Sequence, residues 1–348
     1  MAIHDNLKTF ACMNSDWQTL RVQLSQPCNI AITTHQRPDG DAMGSSLALY
    51  NYLIERGHQV QVITPTDYPE YFEWMPGNDK VWVYPSAKED CDIFLENADF
   101  LFCLDFNTIS RIAPMDTIVN QIDVPIVLID HHLQPDTFAW SLSDTKACST
   151  CELVYKFIHI LEEQPLISPD VAQCIYTGLY TDTGGYQNGA VNKAAFTITA
   201  HLLDCGLDIH YVLEQLNGNG SESRVRFLGN SLLNKMTVLS DLGLAFIVVD
   251  RKDARTYNLH SGDTEGLVNY PLSIKGIRIS VLIKEEKDII KLSFRSKGDI
   301  SVDGICRTYF EGGGHKNAAG GKTILPPPLA IKKITEVVEK YLKSQKKL

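Results

Sequence analysis

A short polar segment follows the first strand-like run of the chain. The run NIAITT (29–34) leads into His35, Asp39 and Asp41, so one imidazole and two carboxylates lie within seven residues. Ligands of open α/β sheets bind beyond the carboxyl ends of the strands, and Gly40 permits a tight turn in which both carboxylates converge. The segment therefore predicts a cation site. The alternative is a helix start in which an Asp is the N-cap and the His is unrelated.

Two further apolar runs end in residues that can bind metals. FLFCLD (100–105) ends in Asp105, and VPIVLID (124–130) is followed by His131 and His132. A carboxylate that closes an apolar run is costly if it is buried without a partner, and a metal ion is one such partner. Imidazole and carboxylate without thiolate favour Mn²⁺-type ions over structural zinc. Taken singly, Asp105 also fits a surface loop, and the histidine pair fits one buried ring with a solvated neighbour.

A fourth segment, YTGLYTDTGGY (176–186), places Asp182 where a helical pattern gives way to a Gly-rich loop. Alone, it is an ordinary helix end. Four segments with the same arrangement are poorly explained by coincidence, and a two-metal hydrolase needs about six ligands, one of them bridging metals ~3.5–4 Å apart. The candidate ligands are His35, Asp39, Asp41, Asp105, His131 and Asp182.

The C-terminal part contains a separate glycine-rich segment, GGGHKNAAGG (312–321). Successive glycines leave backbone N–H groups bare, which favours an anion-binding nest. His315 and Lys316 could add positive charge. Arg295 and Ser296 end another strand-like run, and Arg binds phosphate through two parallel hydrogen bonds. Many glycine-rich segments are only turns, but in a basic region this one indicates phosphate binding.

The elements that must position these residues alternate between strands and helices through the N-terminal two-thirds. Alternation of this kind predicts a mostly parallel sheet with helices on both faces. Strands are predicted at 29–34, 60–65, 100–105 and 124–130, and helices at 42–57, 151–163, 169–180 and 194–206.

A change of composition at NGNGSESR (217–224) predicts a domain boundary. We expect one domain over residues 1–216, a linker over 217–235 and a smaller α/β domain over 236–348. In the second domain, strands are predicted at 243–249, 277–285 and 289–296, the last two forming a hairpin, and helices near 302–310 and 330–343.

Charge is distributed unevenly between these parts. The chain of 348 residues has a net charge of −10, which superficially argues against a nucleic-acid partner. Residues 271–348 nevertheless hold 16 Lys and Arg against 8 Asp and Glu, a net of +8. This asymmetry suits a cation site in the acidic part and an anion site in the basic part, although two solvated surfaces would also explain it.

Composition narrows the cellular setting. Hydrophobic residues make up 44% of the chain, yet no run approaches the ~18 apolar residues of a membrane span. The first residues show no signal-peptide pattern. Nine scattered cysteines, including Cys148 and Cys151, indicate packed thiols rather than a disulfide framework. These features predict a cytoplasmic protein with no membrane partner.

Together these motifs resemble the DHH phosphoesterase family, whose signature triplet stands here as Asp130-His131-His132. The likeness is strongest to its bacterial nanoRNase/pAp phosphatase branch and covers nearly the whole chain. The matching segments are HQRPDGDAMGS (35–45), Asp105 with Ser110 and Arg111, TDTGG (181–185), SFRS (293–296) and GGGHKNAAGG (312–321).

The resemblance implies a role for each candidate residue. His35 and Asp39 would hold one manganese, Asp41, His131 and Asp182 the other, and Asp105 would bridge them as a catalytic residue; Mg²⁺ or Co²⁺ are the alternatives. His132 would be catalytic and face the substrate phosphate. The residues implied in substrate binding are Arg111, Arg295, Ser296, Gly312, Gly313, Gly314 and His315.

The implied activity is hydrolysis of very short RNA and of the 3′-phosphate of 3′-phosphoadenosine 5′-phosphate (pAp). The active site would lie in the cleft between the two domains, and the enzyme could be a homodimer. Exopolyphosphatase and cyclic- or linear-dinucleotide phosphodiesterase are the alternative enzymes. A nucleotide-binding sensor without catalysis is the alternative of another class, although the complete ligand set favours an enzyme.

Overall fold

The computed structural model describes residues 15–187, 191–218, 220–260 and 262–345. The chain divides into two compact units, residues 1–219 and residues 220–348. Each unit has its own six-stranded sheet and its own hydrophobic core. The division falls within the predicted linker 217–235.

The sheet of the first unit is entirely parallel. Its strand order is β3-β2-β1-β4-β5-β6, so the order reverses between β1 and β4. Its strands are β1 (Asn29–Thr34), β2 (Gln59–Thr64), β3 (Trp82–Val83), β4 (Phe100–Leu104), β5 (Ile126–Asp130) and β6 (Trp140–Ser143).

Helices cover both faces of this sheet. Ile30 and Ile32 of β1 pack in one apolar cluster, and the intervening Ala31 packs in another on the opposite face. The helices are α1 (Ser15–Gln23), α2 (Gly40–Ile54), α3 (Lys88–Glu96), α4 (Asp116–Val119), α5 (Thr150–Leu161), α6 (Pro169–Asp182), α7 (Lys193–Asp204) and α8 (Ile209–Asn217).

Several of these helices begin at side chains that bind free backbone N–H groups. Ser149 accepts a hydrogen bond from the backbone of Glu152 at the start of α5, and Asn192 accepts one from Ala195 at the start of α7. Ser168 caps α6, whose first residue is Pro169. These local signals explain why the predicted helices of this unit are confirmed to within a few residues.

The second unit has a mixed sheet of order β11-β12-β10-β9-β8-β7. Its strands are β7 (Met236–Leu239), β8 (Leu244–Val249), β9 (Ile279–Glu285), β10 (Ile290–Ser296), β11 (Gly313–Gly314) and β12 (Ala318–Thr323). Its helices are α9 (Glu222–Asn230), α10 (Arg251–Thr256), α11 (Val302–Tyr309) and α12 (Pro327–Gln345). Strands β9 and β10 form the predicted antiparallel hairpin.

The predicted parallel sheet with helices on both faces, followed by a smaller α/β domain, is therefore confirmed. Sequence patterns missed β12, whose sequence AAGGKT contains two glycines, and the short strands β3, β6, β7 and β11, which have two to four residues each. Such runs are too short to show a period. No helix within the described part of the chain is both long enough and apolar enough to span a membrane.

Candidate metal and catalytic site

The first unit gathers its polar side chains at the point where the strand order reverses. His35 directly follows β1, and Asp105 directly follows the neighbouring strand β4. Asp130 ends β5, on the other side of β4, and His131 comes next. Reversal of strand order opens a crevice at the carboxyl ends of the strands, where doubly wound sheets bind ligands. The topology thus explains why residues far apart in sequence converge here.

Asp105 lies at the centre of this group. It is buried, and its backbone has a φ of 64°, which is uncommon for a residue other than glycine. Its two carboxylate oxygens face different partners: Oδ2 lies 3.3 Å from Nε2 of His35, and Oδ1 lies 3.6 Å from Nε2 of His131. One carboxylate is therefore placed between two imidazoles, as a bridging ligand would be.

Both imidazoles are oriented through their other nitrogen. Nδ1 of His35 lies 2.8 Å from the carbonyl oxygen of Gln36, and Nδ1 of His131 lies 3.3 Å from that of Ala147. A carbonyl can only accept, so Nδ1 carries the proton in each case. Nε2 of each ring then faces Asp105, and it is the nitrogen that would bind a metal ion after losing its proton.

Asp41 is fixed by the start of α5. Its Oδ2 accepts a hydrogen bond of 2.6 Å from the backbone N–H of Thr150, and its Oδ1 accepts one of 3.0 Å from that of Cys151. A carboxylate has about four acceptor positions, so both oxygens retain one for a cation. Oδ2 lies 3.9 Å from Nε2 of His131. A Cβ at Gly178 would come within 2.5 Å of Asp41 Oδ1, which explains the glycine.

Asp39 and Asp182 lie at helix ends beside this cluster. Oδ1 of Asp39 accepts backbone N–H groups at the start of α2, and it lies 3.9 Å from Nε2 of His35. The N-cap interpretation and the metal-site interpretation are therefore compatible at this residue. Asp182 is the last residue of α6, and its Oδ2 lies 3.6 Å from Nε2 of His131. All six predicted ligands come together, and we call them the histidine–carboxylate cluster.

The electrostatics of the cluster show an excess of buried acid. Burial raises the pKa of Asp41 well above its ordinary value, helped by the charges of Asp105 and Asp182. Burial also raises the pKa of Asp182 to about 6 against the opposing charge of His131. Burial would raise the pKa of Asp105, but the hydrogen bond from His35 and the charges of the imidazoles lower it. For the two histidines, burial lowers the pKa and the neighbouring carboxylates raise it.

Burial alone would lower the pKa of His131, but the charges of Asp182, Asp105 and Asp41 raise it to about 9. Burial would also lower the pKa of His35, but the hydrogen bond to Asp105 outweighs burial and the pKa is raised. Crowded carboxylates thus retain protons or attract them to histidines. A divalent cation would displace these protons and satisfy the same oxygens, so the residues present fit such an ion.

The thiol of Cys151 does not join this donor set. Burial, followed by the charge of Asp41, raises the pKa of Cys151 well above its ordinary value. The thiol therefore stays protonated, and only a thiolate is a good metal ligand. Cys148 is also buried, and both cysteines are packed thiols.

His132 is held by Asp130, a residue whose role sequence reasoning missed. Oδ1 of Asp130 lies 2.7 Å from Nδ1 of His132, and Oδ2 accepts the backbone N–H of His132 at 3.0 Å. Asp130 is fully buried, and both of its oxygens are used in this way. It therefore orients a neighbouring ring rather than serving as a ligand. A substrate would therefore meet His132 on the Nε2 side of the ring.

Thr150 is a second residue that the sequence did not reveal. Its hydroxyl donates a 2.9 Å hydrogen bond to Oδ1 of Asp105, in addition to its backbone contact with Asp41. Ser149, three residues before Glu152, was the available signal, since Ser-x-x-Glu marks a helix start with free N–H groups. Nothing local indicates which carboxylate those groups bind.

Arg111, predicted to bind substrate, lies on the same side as His35. The backbone N–H of Gln36 donates to the carbonyl oxygen of Arg111 over 2.9 Å, which joins the two loops. The positive charge of Arg111 opposes the raised pKa of His35, so the guanidinium lies near that ring. The structure thus keeps a cation beside the cluster without placing it among the ligands.

In the second unit, Ser296 and Arg295 occupy opposite faces of β10. Ser296 is buried and donates to the carbonyl oxygen of Ile300 at 2.7 Å, while accepting from the amide of Asn317 at 2.9 Å. These contacts indicate that Ser296 positions the turn around Asn317. Arg295 is half-buried and donates to the carbonyl oxygen of Phe294.

Two of the glycines at 312–314, which were predicted to form an anion-binding nest, lie in a strand that pairs with β12. Gly313 and Gly314 form β11, and the N–H of Gly314 donates to Asp303 at 2.7 Å. A Cβ at Gly312 would lie 1.9 Å from the carbonyl oxygen of Gly320. Close packing of two strands therefore accounts for the glycine at 312. His315 begins the tight turn into β12.

Comparison with protein families identifies both units. The profile described as "DHH family, N-terminal domain" matches residues 29–179, and that of the DHHA1 domain matches residues 244–344. The first range contains five of the six cluster residues; Asp182 lies three residues beyond it. The second contains every predicted substrate-binding residue of the second unit.

Individual relatives agree with this result. The bifunctional oligoribonuclease and PAP phosphatase NrnA of Thermus thermophilus is 27% identical over 292 residues, covering 84% of this chain and 83% of that protein. The protein of the same name from Bacillus subtilis is 27% identical, covering 84% and 88%.

Among solved structures, an exopolyphosphatase-related protein from Bacteroides fragilis superposes with a TM-score of 0.89. It is 35% identical, and the match covers 94% of this chain and 96% of that one. Exonuclease RecJ bound to manganese superposes with a TM-score of 0.53 at 15% identity over 95% of this chain, which indicates a shared fold.

Proposed function

Because the chain belongs to the DHH family of phosphoesterases, we propose that it hydrolyses very short RNA and also removes the 3′-phosphate of pAp. One observation carries the proposal: the two oxygens of Asp105 face two different imidazoles at the crevice of the first sheet. The named activity of the Thermus and Bacillus relatives supports this choice of substrate.

We assign two divalent cations, most simply Mn²⁺, to the histidine–carboxylate cluster. His35 and Asp39 would bind one with Oδ2 of Asp105. Asp41, His131 and Asp182 would bind the other with Oδ1 of Asp105. Two such cations acidify a bound water and neutralise charge on the reacting phosphoryl group. Carboxylate and imidazole donors suit Mn²⁺ better than they suit structural zinc.

The remaining work falls to residues of the chain itself. Asp130 holds the Nδ1 proton of His132, so Nε2 of the imidazolium form would donate to a phosphoryl oxygen. Thr150 and the start of α5 hold Asp41 and Asp105 in place before substrate arrives. Such preorganisation avoids rearrangement during the reaction.

In the second unit we assign nucleotide binding to Arg295 and His315, with Gly312, Gly313 and Gly314 shaping the strand beside them. Ser296 would act indirectly, because its hydroxyl is engaged with Ile300 and Asn317. Arg111 would contribute positive charge toward the substrate from the first unit. A guanidinium matches phosphate geometry through two parallel hydrogen bonds.

A substrate panel tests the proposal. The full-length protein with Mn²⁺ is given pAp, di- to pentaribonucleotides, polyphosphate and cyclic dinucleotides, and initial rates are compared. We expect the highest kcat/KM for the short oligoribonucleotides and measurable phosphate release from pAp. Binding of nucleotides without turnover of any substrate would instead identify a sensor.

Exopolyphosphatase is the second candidate, favoured by the Bacteroides relative at 35% identity. The same panel separates the two activities. Chain shortening of polyphosphate with a higher kcat/KM than that for any ribonucleotide would replace our first assignment.

A further inference from the structure

One face of the second sheet carries three lysines directly opposite one another. Lys291 of β10 pairs with Lys322 of β12 on one side and with Lys284 of β9 on the other. Paired residues of antiparallel strands point to the same face, where like charges repel. We call these three residues the lysine row. Glutamates beside Lys291 and Lys322 offset part of this repulsion, and a bound anion would offset more of it.

Arg295 stands on the same face, four residues further along β10. Side chains of a strand alternate between faces, and Ser293 and Arg295 are partly exposed while Leu292 and Phe294 are buried. Four residues of extended strand span about 13 Å. The lysine row and Arg295 are therefore separated by more than the length of one nucleotide.

The surface between these cations is free of large side chains on β10 and β12. Ser293 pairs with Gly320 in the middle of the path. The apolar cluster that covers this face includes Leu282 of β9 but, among the described residues, none from β10 or β12. The segment Leu267–Ser273 lies over β9 and also contacts β10, whereas Gly320 and Lys322 of β12 are exposed. The β12 side of this face is thus a floor with cations at both ends.

Gly320 supplies an independent reason to place a ligand there. A Cβ at Gly320 would meet nothing closer than the carbonyl oxygen of Leu292 at 3.9 Å, and no positive φ requires glycine. Its neighbour Gly321 is different, since a Cβ there would lie 2.9 Å from Phe310. A glycine within a strand often marks a bulge, a bend, or the close approach of a ligand or another backbone, and the open space at Gly320 is compatible with a ligand.

From this juxtaposition we propose that the floor binds the phosphodiester backbone of an oligonucleotide, with Arg295 at one end and the lysine row at the other. The proposal rests on the proposed function and deepens it, because it names what distinguishes an oligonucleotide from pAp. Only a substrate of several nucleotides reaches from Arg295 to the lysines.

The ion pairs already present leave room for this role. Lys291 contacts Glu286 at 2.5 Å, and Lys322 contacts Glu311 at 3.7 Å with both side chains more than half exposed. Each ammonium has three donors, and an exposed pair such as Lys322–Glu311 contributes little. A phosphate can therefore add to these contacts or replace them.

The test compares Lys291→Gln/Lys322→Gln with Lys332→Gln/Lys343→Gln. The control pair removes the same charge from α12, and each control lysine also pairs with a glutamate, Glu336 or Glu339. Binding of a fluorescein-labelled pentaribonucleotide to the full-length protein is measured between 50 and 300 mM salt (roughly the range in which phosphate contacts are tested), together with KM for the pentamer and for pAp.

We expect the lysine-row variant to bind the pentamer about tenfold more weakly than the control pair does. Its log K against log salt slope should shrink by about 1.4, since each single-strand phosphate contact contributes ~0.7. The KM for pAp should change less than threefold. If the two variants bind the pentamer with equal affinity and equal salt slope, the lysine row does not bind the oligonucleotide.

Gly320→Val gives a second readout that does not depend on charge. A side chain in the middle of the floor should weaken pentamer binding at least tenfold while the melting temperature stays unchanged. Gly229→Val is the matched control, because Gly229 of α9 also has open space around its Cβ position. Full pentamer affinity in Gly320→Val would show that the floor is not used.

These measurements separate the two levels of the argument. Lysine-dependent binding without hydrolysis of RNA or pAp would contradict the proposed function but support the floor. Hydrolysis of RNA at the same rate and with the same KM in the lysine-row variant and the control pair would contradict only the proposed role of the floor. A wild-type protein that does not bind the pentamer would contradict both.

Discussion

The two units use polar residues in opposite ways. In the first, the histidine–carboxylate cluster is mostly buried, and backbone or side-chain partners hold Asp41, His35 and His131 in fixed orientations. In the second, Lys291 and Lys322 lie on one face of a sheet, and each forms an ion pair with a glutamate. One site is rigid before any ligand arrives, and the other offers charge over a flat area.

The contrast teaches where chemistry and affinity come from in this molecule. A reaction at phosphorus requires donors fixed within a fraction of an ångström, which buried hydrogen bonds provide. Contact with a phosphate backbone requires positive charge at suitable intervals, which side chains on a strand provide without fixed orientation. We therefore expect changes in the first unit to lower kcat and changes in the second to raise KM.

Asp105→Asn should have the largest effect. Asparagine tolerates a positive φ as well as aspartate does, so the fold is retained while the charge facing both histidines is lost. We expect kcat to fall more than about 10³-fold, beyond the loss for a single hydrogen-bond donor. Turnover and metal content are measured together. Activity within tenfold of wild type with two metals bound would exclude the bridging role.

His132→Gln should lower kcat by about 10²–10³-fold, the usual loss when one donor to a developing oxyanion is removed. Metal content should not change under our assignment, because Nδ1 of the ring is engaged by Asp130 and His132 is not one of the six proposed ligands. Elemental analysis of the purified variant checks this. A loss of one metal equivalent would make His132 a ligand and remove the distinction drawn here between it and His131.

Arg295→Gln should have the smallest effect and the opposite kinetic signature. Losing a hydrogen bond to a charged group costs about 1.5–3 kcal/mol, so KM for a nucleotide should rise about 10- to 100-fold with kcat little altered. Hydrolysis of bis(p-nitrophenyl) phosphate, which is too small to need the second unit, serves as the control. An equal loss of kcat/KM for both substrates would contradict the assignment of nucleotide binding to the second unit.

Much of the first site could be predicted because parallel strands end at one edge of their sheet. His35, Asp105 and His131 each follow a buried apolar run, so their convergence required only the fold class. Asp39 shows the limit of that reasoning. Its sequence context fitted both an N-cap and a ligand, and the structure gives the cap while leaving the residue 3.9 Å from His35.

What could not be predicted depends on packing between distant segments. Thr150 meets Asp41 across 109 positions of sequence, through the docking of one helix start against another. The glycines of the second unit differ in their surroundings, because strand register decides which of them lie against a neighbouring backbone. Gly312 does so, whereas Gly320 faces open space. Local sequence patterns do not determine the register between two strands.

The two backbone hydrogen bonds to Asp41 have a practical consequence for loading the protein with metals. They come from Thr150 and Cys151 and do not depend on a cation, so the start of α5 should stay docked after chelation. The stripped protein should then accept manganese, cobalt or magnesium in turn at the same positions. Differences in rate among the reconstituted forms would report the ions themselves, because the protein around them would be the same.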